Sequence, residues 1–326
     1  MMKSRATRAS AAAIAAAAAV AIGYSGYRLF RFGLDPHMRE SMIARVISGG
    51  VEASDEAVSP ADADFEHRAK AWFLGARRSI EHLADDGQRL FGWRIDAACD
   101  EQPTHDYAIV CHGYSSAPEH MARYVYHFFE RNMSVLAPAA RAHERNSDTG
   151  FIQMGWRDSL DLLGWIQDIC RRDHRARIIL FGLSMGAAEV MMASGLELPE
   201  NVRLIIEDCG YTSVWDEFFF QFKRMFKMPA FPVLYAADAI CRLRAGFTLG
   251  EASSLERLAH ARIPMLFIHG TRDTFVPFSM LDEVFDACAS PVKRKLAING
   301  AGHARSASTD PERYWGTIDA FIDDNL

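Results

Sequence analysis

The sequence predicts an α/β fold: a mostly parallel central sheet with helices on both faces and one helical insertion. Three observations predict it. Short aliphatic and β-branched runs recur along the chain, segments of helical periodicity separate them, and 326 residues at 49% hydrophobic are enough to cover a sheet on both sides. That composition, with 24% charged residues, excludes a largely disordered chain. Formal net charge is −6, and the first 31 residues carry five basic side chains and no acid, which leaves the remainder at −11. An acidic body argues against nucleic acid as a partner.

Residues 9–27 are uncharged and mostly alanine, with Ile14, Val20 and Ile22. A helix of that length rises about 28 Å, near the hydrocarbon thickness of a bilayer. Lys3, Arg5 and Arg8 precede it and Arg28 and Arg31 follow. Three readings stay open: an uncleaved membrane anchor, a cleaved export signal, and a soluble or disordered alanine-rich tail. The first two place the body outside the cytoplasm, at the cell membrane or secreted. Residues 1–31 are thus set apart as anchor or export signal. Residues 32–70, mixing prolines, small residues and acids, read as a juxtamembrane linker beginning with a short helix.

The body occupies residues 71–326 as one domain. A helical segment at 67–78 leads to a strand pair across 90–98. Runs at 107–111, 134–137, 177–181, 202–207, 265–269 and 294–298 read as strands, and segments at 119–131, 156–171, 185–194, 279–289 and 311–324 as helices. Asp158 and Asp161 suit the start of one of these helices. The interval 211–260 breaks the alternation and is crowded with Phe218, Phe219, Phe220, Phe222, Met225 and Phe226. So long a connection is rarely structureless. It reads as a helical cap, either finishing the core as a hairpin or lining a pocket for an apolar group. The six cysteines are dispersed, without metal-like spacing, so neither a disulfide framework nor a zinc site is expected. Cys111 and Cys209, at the ends of apolar runs, read as small buried hydrophobes.

The chemistry centres on Gly182-Leu183-Ser184-Met185-Gly186, between a strand and a helix. Glycines on both sides of a sharp turn let the chain approach closely and leave the Ser184 hydroxyl exposed at the top of the sheet. A serine oxygen needs a base to take its proton, and a histidine oriented by a carboxylate does this near neutral pH. Asp273 follows the strand at 265–269, and His303 follows the next strand in a glycine-rich loop, giving the order Ser, Asp, His. Asp208 is the competing acid, otherwise a cap or loop anchor. Donors for the oxyanion are the amide of Met185, after the nucleophile, and that of Tyr114, in the loop after the strand at 107–111. His112 in that loop is either a structural hydrogen-bonding residue or a second base.

These residues resemble the α/β-hydrolase superfamily, and more closely its exported or membrane-anchored bacterial members related to serine aminopeptidase-like and lipase-like hydrolases. The resemblance spans residues 71–326. It rests on His112-Gly113, the turn from Gly182 to Gly186, Gly270 through Asp273 with Val276-Pro277, and Gly302-His303, supported by Met154-Gly155-Trp156 with Asp161. It implies the α/β-hydrolase fold, a triad of Ser184, Asp273 and His303, an oxyanion hole from the Tyr114 and Met185 amides, and a cap above the strand ends. One segment departs from a frequent pattern in such relatives, an arginine followed soon by His-Gly-x-Ser. In Arg141-Ala142-His143-Glu144-Arg145-Asn146-Ser147, Glu144 stands where the glycine would be and the serine comes one position late. A different loop shape is expected there.

The function this implies is a serine hydrolase that cleaves a carboxylic ester through an acyl-enzyme, with no metal and no organic cofactor. The partner is a small-molecule ester or amide. Two alternatives stand beside it, an aminopeptidase-like or amidase activity and a non-catalytic binding protein on the same scaffold. The apolar cap favours an acyl or aromatic group, whereas Glu207, Asp208 and the acidic body would serve an amine-bearing substrate.

Overall fold

The computed structural model describes residues 2–38, 59–98 and 104–326. Most of the linker expected at 32–70 lies outside the described residues. Helix α1 runs from Met2 to Leu34 as one continuous element (Met2–Leu34). Helix α2 (Pro60–Ala76) begins earlier than the sequence suggests, because Ser59 Oγ accepts the Asp62 amide at 3.1 Å and Pro60 supplies a preset first turn. It also ends earlier: Arg77 is extended, and the residues after it form an edge strand, β1 (Arg78–Leu83). That strand is hidden in the sequence because exposed charged residues alternate with Ile80 and the buried His82.

The chain continues through β2 (Arg89–Ile95), β3 (Asp106–Cys111), α3 (Ala122–Glu130), β4 (Ser134–Pro138), α4 (Asp158–Arg172), β5 (Arg177–Leu183), α5 (Met185–Ala193) and β6 (Val202–Asp208). Three cap helices follow, α6 (Val214–Phe226), α7 (Val233–Ala245) and the short α8 (Ser254–Leu258). Then come β7 (Met265–Gly270), α9 (Met280–Ala287), β8 (Lys293–Ile298), a short α10 (Ser306–Thr309) and α11 (Pro311–Asn325). The eight strands form one sheet in the order β1-β2-β4-β3-β5-β6-β7-β8, antiparallel at β1/β2 and β2/β4 and parallel elsewhere.

Both faces are covered, and successive strand residues therefore enter different cores. In β5, Ile179 and Phe181 pack with Phe73, Phe128 and Phe321 of α2, α3 and α11, while Ile178 and Leu180 pack with Trp165, Met191 and Val284 of α4, α5 and α9. This two-sided burial is why the central strands read as uninterrupted apolar runs. Register aligns the strand ends: Cys111 pairs with Gly182, Leu183 with Asp208, and Gly270 with Ile298. Loops leaving β3, β5, β7 and β8 thus converge at one edge of the sheet, where open α/β sheets place ligands.

The cap builds a third apolar cluster, and α1 belongs to it. Phe30 and Leu34 are buried in this cluster with Phe222, Leu234, Ala237 and Cys241. The crossing of α1 on α7 is close: a Cβ at Gly26 would lie 2.6 Å from the Ala236 Cβ and 2.9 Å from its carbonyl carbon. At the end of α1, the Gly33 carbonyl accepts the Tyr114 hydroxyl at 2.9 Å and the Leu34 carbonyl accepts the Ile152 amide at 2.9 Å.

The membrane location read from residues 9–27 is corrected by this packing, and with it the anchored partner, the extracytoplasmic body and the secreted alternative. Among the described residues one helical stretch, Ala13–Leu34, is long and apolar enough to cross a bilayer, at 22 residues. Its last two turns are built into the cap and the wall of the candidate site, so they are not available to lipid. Alanine-rich composition suits helix packing as well as lipid, and only the surface that faces the helix separates the two.

Candidate active site

Ser184 stands at the turn between β5 and α5 with φ 57° and ψ −113°. A non-glycine residue in that region is strained, and the surroundings must hold it there. They do so through close backbone approaches. A Cβ at Gly182 would lie 2.1 Å from the Gly186 carbonyl oxygen, and one at Gly186 would lie 2.3 Å from that of Cys111. The Ser184 amide donates to the Asp208 carbonyl at 2.8 Å, tying the turn to the neighbouring strand.

The structure brings the three expected side chains into one hydrogen-bonded series. Ser184 Oγ lies 2.9 Å from His303 Nε2, and His303 Nδ1 lies 2.7 Å from Asp273 Oδ2. Asp273 Oδ1 accepts the amides of Phe275 and Val276 at 2.8 and 2.9 Å. Its other oxygen also faces Nε2 of the buried His269 at 3.2 Å, a nitrogen that contacts the Val276 carbonyl at 3.1 Å. Burial pushes the Asp273 carboxyl up, but the charges and hydrogen bonds of His303 and His269 outweigh it and hold the group well below the usual carboxylate range. For His303, burial acts downward and is outweighed by Asp273, with Glu217 and Asp208 adding to it, so the imidazole sits above the ordinary histidine value. A carboxylate on Nδ1 keeps the proton there and leaves Nε2 to accept from the serine.

Asp208, the competing acid, has other partners. Its Oδ2 accepts the Tyr314 hydroxyl at 2.9 Å and its Oδ1 faces Ser306 Oγ at 3.4 Å. Burial pushes this carboxyl up to about 6. Glu207 is completely buried too, with Oε2 accepting the Gly210 amide at 3.0 Å. Neither lines the pocket beside Ser184, so the part weighed for them in receiving an amine is corrected.

The oxyanion donors read from the sequence flank the serine. Met185 opens α5 directly after it, and the Gly113 backbone approaches so closely that a Cβ there would lie 3.4 Å from the Ser184 Cβ. The Gly113 carbonyl is held by His112 Nδ1 at 2.9 Å and the Ser116 amide at 3.1 Å. In a planar trans peptide this turns the Tyr114 N–H the opposite way. His112 Nε2 accepts the Ala140 amide at 3.0 Å, so both ring nitrogens are engaged with backbone and the residue is structural. His143 works in the same manner, with Nδ1 on the Arg141 carbonyl at 2.8 Å and Nε2 accepting the Ser115 amide at 3.2 Å. In the segment 141–147, Glu144 takes a φ of 45°, the region a glycine would favour, and its carboxylate accepts Trp93 Nε1 at 3.0 Å.

A pocket opens beside Ser184. Phe218, Phe222 and Met225 of α6 line it, as do Leu29 and Phe32 of α1. Three contributors are not evident from the sequence: His269 behind Asp273, the end of α1, and Glu217. Glu217 is buried on α6 with Oε1 accepting Gln221 Nε2 at 2.9 Å. Its sequence signal is slight, two polar residues four apart within an aromatic run.

A serine activated through imidazole and carboxylate at the carboxyl ends of a mostly parallel sheet defines a class, the serine-hydrolase-type enzymes of α/β architecture. Residues 108–316 match the profile of the Alpha/beta hydrolase family, and the chain belongs to that family. It is 25% identical over 225 residues to the YqkD protein of Bacillus subtilis strain 168, covering 68% of this chain and 72% of that protein. Among solved structures it is similar to the Pf2001 esterase of Pyrococcus furiosus, with a TM-score of 0.62, 21% identity, and coverage of 77% and 91% of the two chains. An acylaminoacyl peptidase of Pyrococcus horikoshii is similar at a TM-score of 0.53 and 16% identity, covering 76% of this chain and 40% of that one. The matching folds are those of esterases and peptidases.

Proposed function

We propose that the chain cleaves carboxylic esters through an acyl-enzyme formed on Ser184. The observation that carries this reading is the series Ser184 Oγ to His303 Nε2 at 2.9 Å and His303 Nδ1 to Asp273 at 2.7 Å, opening on an apolar pocket. Ser184 Oγ attacks the ester carbonyl carbon as His303 Nε2 takes its proton, and the Tyr114 and Met185 amides receive the oxyanion. Collapse of the tetrahedral species breaks the bond to the alkoxy oxygen, which leaves with the proton from His303. Water, deprotonated in turn by His303, then attacks the acyl carbon and restores the serine. Asp273 holds the imidazole tautomer and stabilises its charged form throughout. The same reading takes 71–326 as the hydrolase domain, with a cap at about 211–260 to which the end of α1 adds a wall. The mostly apolar lining supports an apolar group on the part of the ester lodged there.

Covalent labelling by a fluorophosphonate probe tests the assignment. The folded wild-type chain labels and the Ser184→Ala variant does not. Equal labelling of the two, or none of the wild type, refutes it. A panel of short-acyl esters, long-acyl esters and acyl amides then tests the preference, and faster cleavage of amides overturns the ester reading.

A further inference from the structure

Two residues lining the apolar pocket beside Ser184 each carry a buried oxygen that the protein leaves without a hydrogen-bond partner, Glu217 Oε2 and Gln221 Oε1. They lie one turn apart on α6 and are held in place. Gln221 Nε2 donates to Glu217 Oε1 at 2.9 Å and to the Phe275 carbonyl at 2.8 Å. A carbonyl can only accept, so the amide must turn its nitrogen to Phe275 and leave Oε1 free. Glu217 is 4% exposed, and a buried oxygen without a donor costs free energy that a bound donor would recover.

The chemistry of that ligand follows from the surroundings. Once Glu217 is ionised both groups accept, so a ligand that meets both must donate at two points. A single hydroxyl has one proton to give, and an anion would meet a carboxylate. A primary ammonium has three N–H groups, and the rings of Phe218, Phe222 and Phe275 in the same lining suit a cation. We propose that Glu217 and Gln221 form a recognition site for a primary ammonium, so that the esters cleaved at Ser184 carry a free amino group on the part lodged in this pocket. The proposal rests on the ester-cleaving reading of the same site. Burial pushes the Glu217 carboxyl up to about 8, against the Gln221 hydrogen bond, with His303, Asp273 and Arg224 as the other charges that reach it. Near neutral pH burial therefore keeps it mostly protonated, and an arriving ammonium draws the proton off.

Two measurements on the full chain test this. Calorimetric titration compares 2-phenylethylammonium with 2-phenylethanol, which differ only in the polar group. The ammonium is expected to bind at least about tenfold more tightly to wild type, the size of one charge-assisted hydrogen bond, and Glu217→Gln removes that preference. Equal affinities in the wild type overturn the proposal without recourse to any variant, as does a preference that survives Glu217→Gln. The second compares kcat/KM for phenylalanine methyl ester and methyl 3-phenylpropanoate. A ratio above about ten in favour of the amino ester supports the proposal, and a ratio near one overturns it. If the ammonium binds tightly while neither ester is cleaved, the recognition site stands and the ester reading falls.

Discussion

Replacing Asp273 by asparagine removes one charge and puts a donor where His303 and His269 now face an acceptor. Asp273 Oδ1 accepts two backbone amides, from Phe275 at 2.8 Å and Val276 at 2.9 Å, and only a carbonyl oxygen can stand there. The asparagine nitrogen is therefore forced to the position of Oδ2, 2.7 Å from His303 Nδ1. A donor at that place makes Nδ1 an acceptor and moves the ring proton to Nε2, which faces Ser184 Oγ at 2.9 Å. The base is then protonated on its working nitrogen. In a serine protease triad the same change lowers kcat about 10⁴-fold, equivalent to about 5.5 kcal/mol, and a loss of that order is expected here. The assay is kcat/KM for 4-nitrophenyl butyrate from about pH 5 to 9, with circular dichroism as a control for folding. In wild type the rate should rise with pH through an ionisation above 6.5, because His303 must be neutral to act and its partners raise its value. The variant should lose that limb together with its turnover. Stability responds as well. The folded carboxyl ionises below its unfolded value, so its contribution is full above about pH 4 and is lost as pH falls through the folded value. Asp273→Asn should thus be destabilised at neutral pH and approach wild type in acid. A fall in kcat/KM of less than about tenfold would refute the reasoning and move the orienting role to another group.

Three further outcomes follow from the packing around the site. Tyr114→Phe removes the bond to the Gly33 carbonyl at 2.9 Å, a net loss of about 1 kcal/mol, and should lower kcat/KM about fivefold while fluorophosphonate labelling continues. Gly26→Leu places side-chain atoms where Ala236 already stands at 2.6 Å, so α1 must shift and carry Leu29 and Phe32 out of the pocket wall. KM for long-acyl esters should rise several-fold, and an unchanged KM would show that α1 is not part of the wall. Gly186→Ala sets a methyl group 2.3 Å from the Cys111 carbonyl oxygen and should cost about 1 to 3 kcal/mol in denaturant unfolding, with loss of turnover as the turn is displaced.

Much of the fold was legible because its signals are local or periodic. The inner strands announce themselves through the two-sided burial that makes 177–181 and 265–269 apolar without interruption. Edge strand β1 does not, since only Ile80 and His82 turn inward from an exposed, charged strand. Helix α2 was displaced by a proline start that the sequence carries in plain view at Ser59-Pro60. The site divides along the same line. The turn around Ser184 is a matter of five consecutive residues, whereas His269 acts on Asp273 only because the chain folds back across four positions to bury both.

The sequence by itself determined the strand, turn and helix around Ser184, the order in which Asp273 and His303 follow it, and the aromatic insertion before β7. Each depends on neighbours along the chain, whose geometry the residue types dictate. Tertiary structure alone decided between the two acids: Asp208 is taken by Tyr314, 106 positions away, which leaves the imidazole to Asp273. It also decided the place of the alanine-rich start, whose end meets Tyr114 across 81 positions. An apolar helix is equally content against lipid or against a cap, because burial of apolar surface has no direction, and only the partner surface supplied by the fold makes the choice.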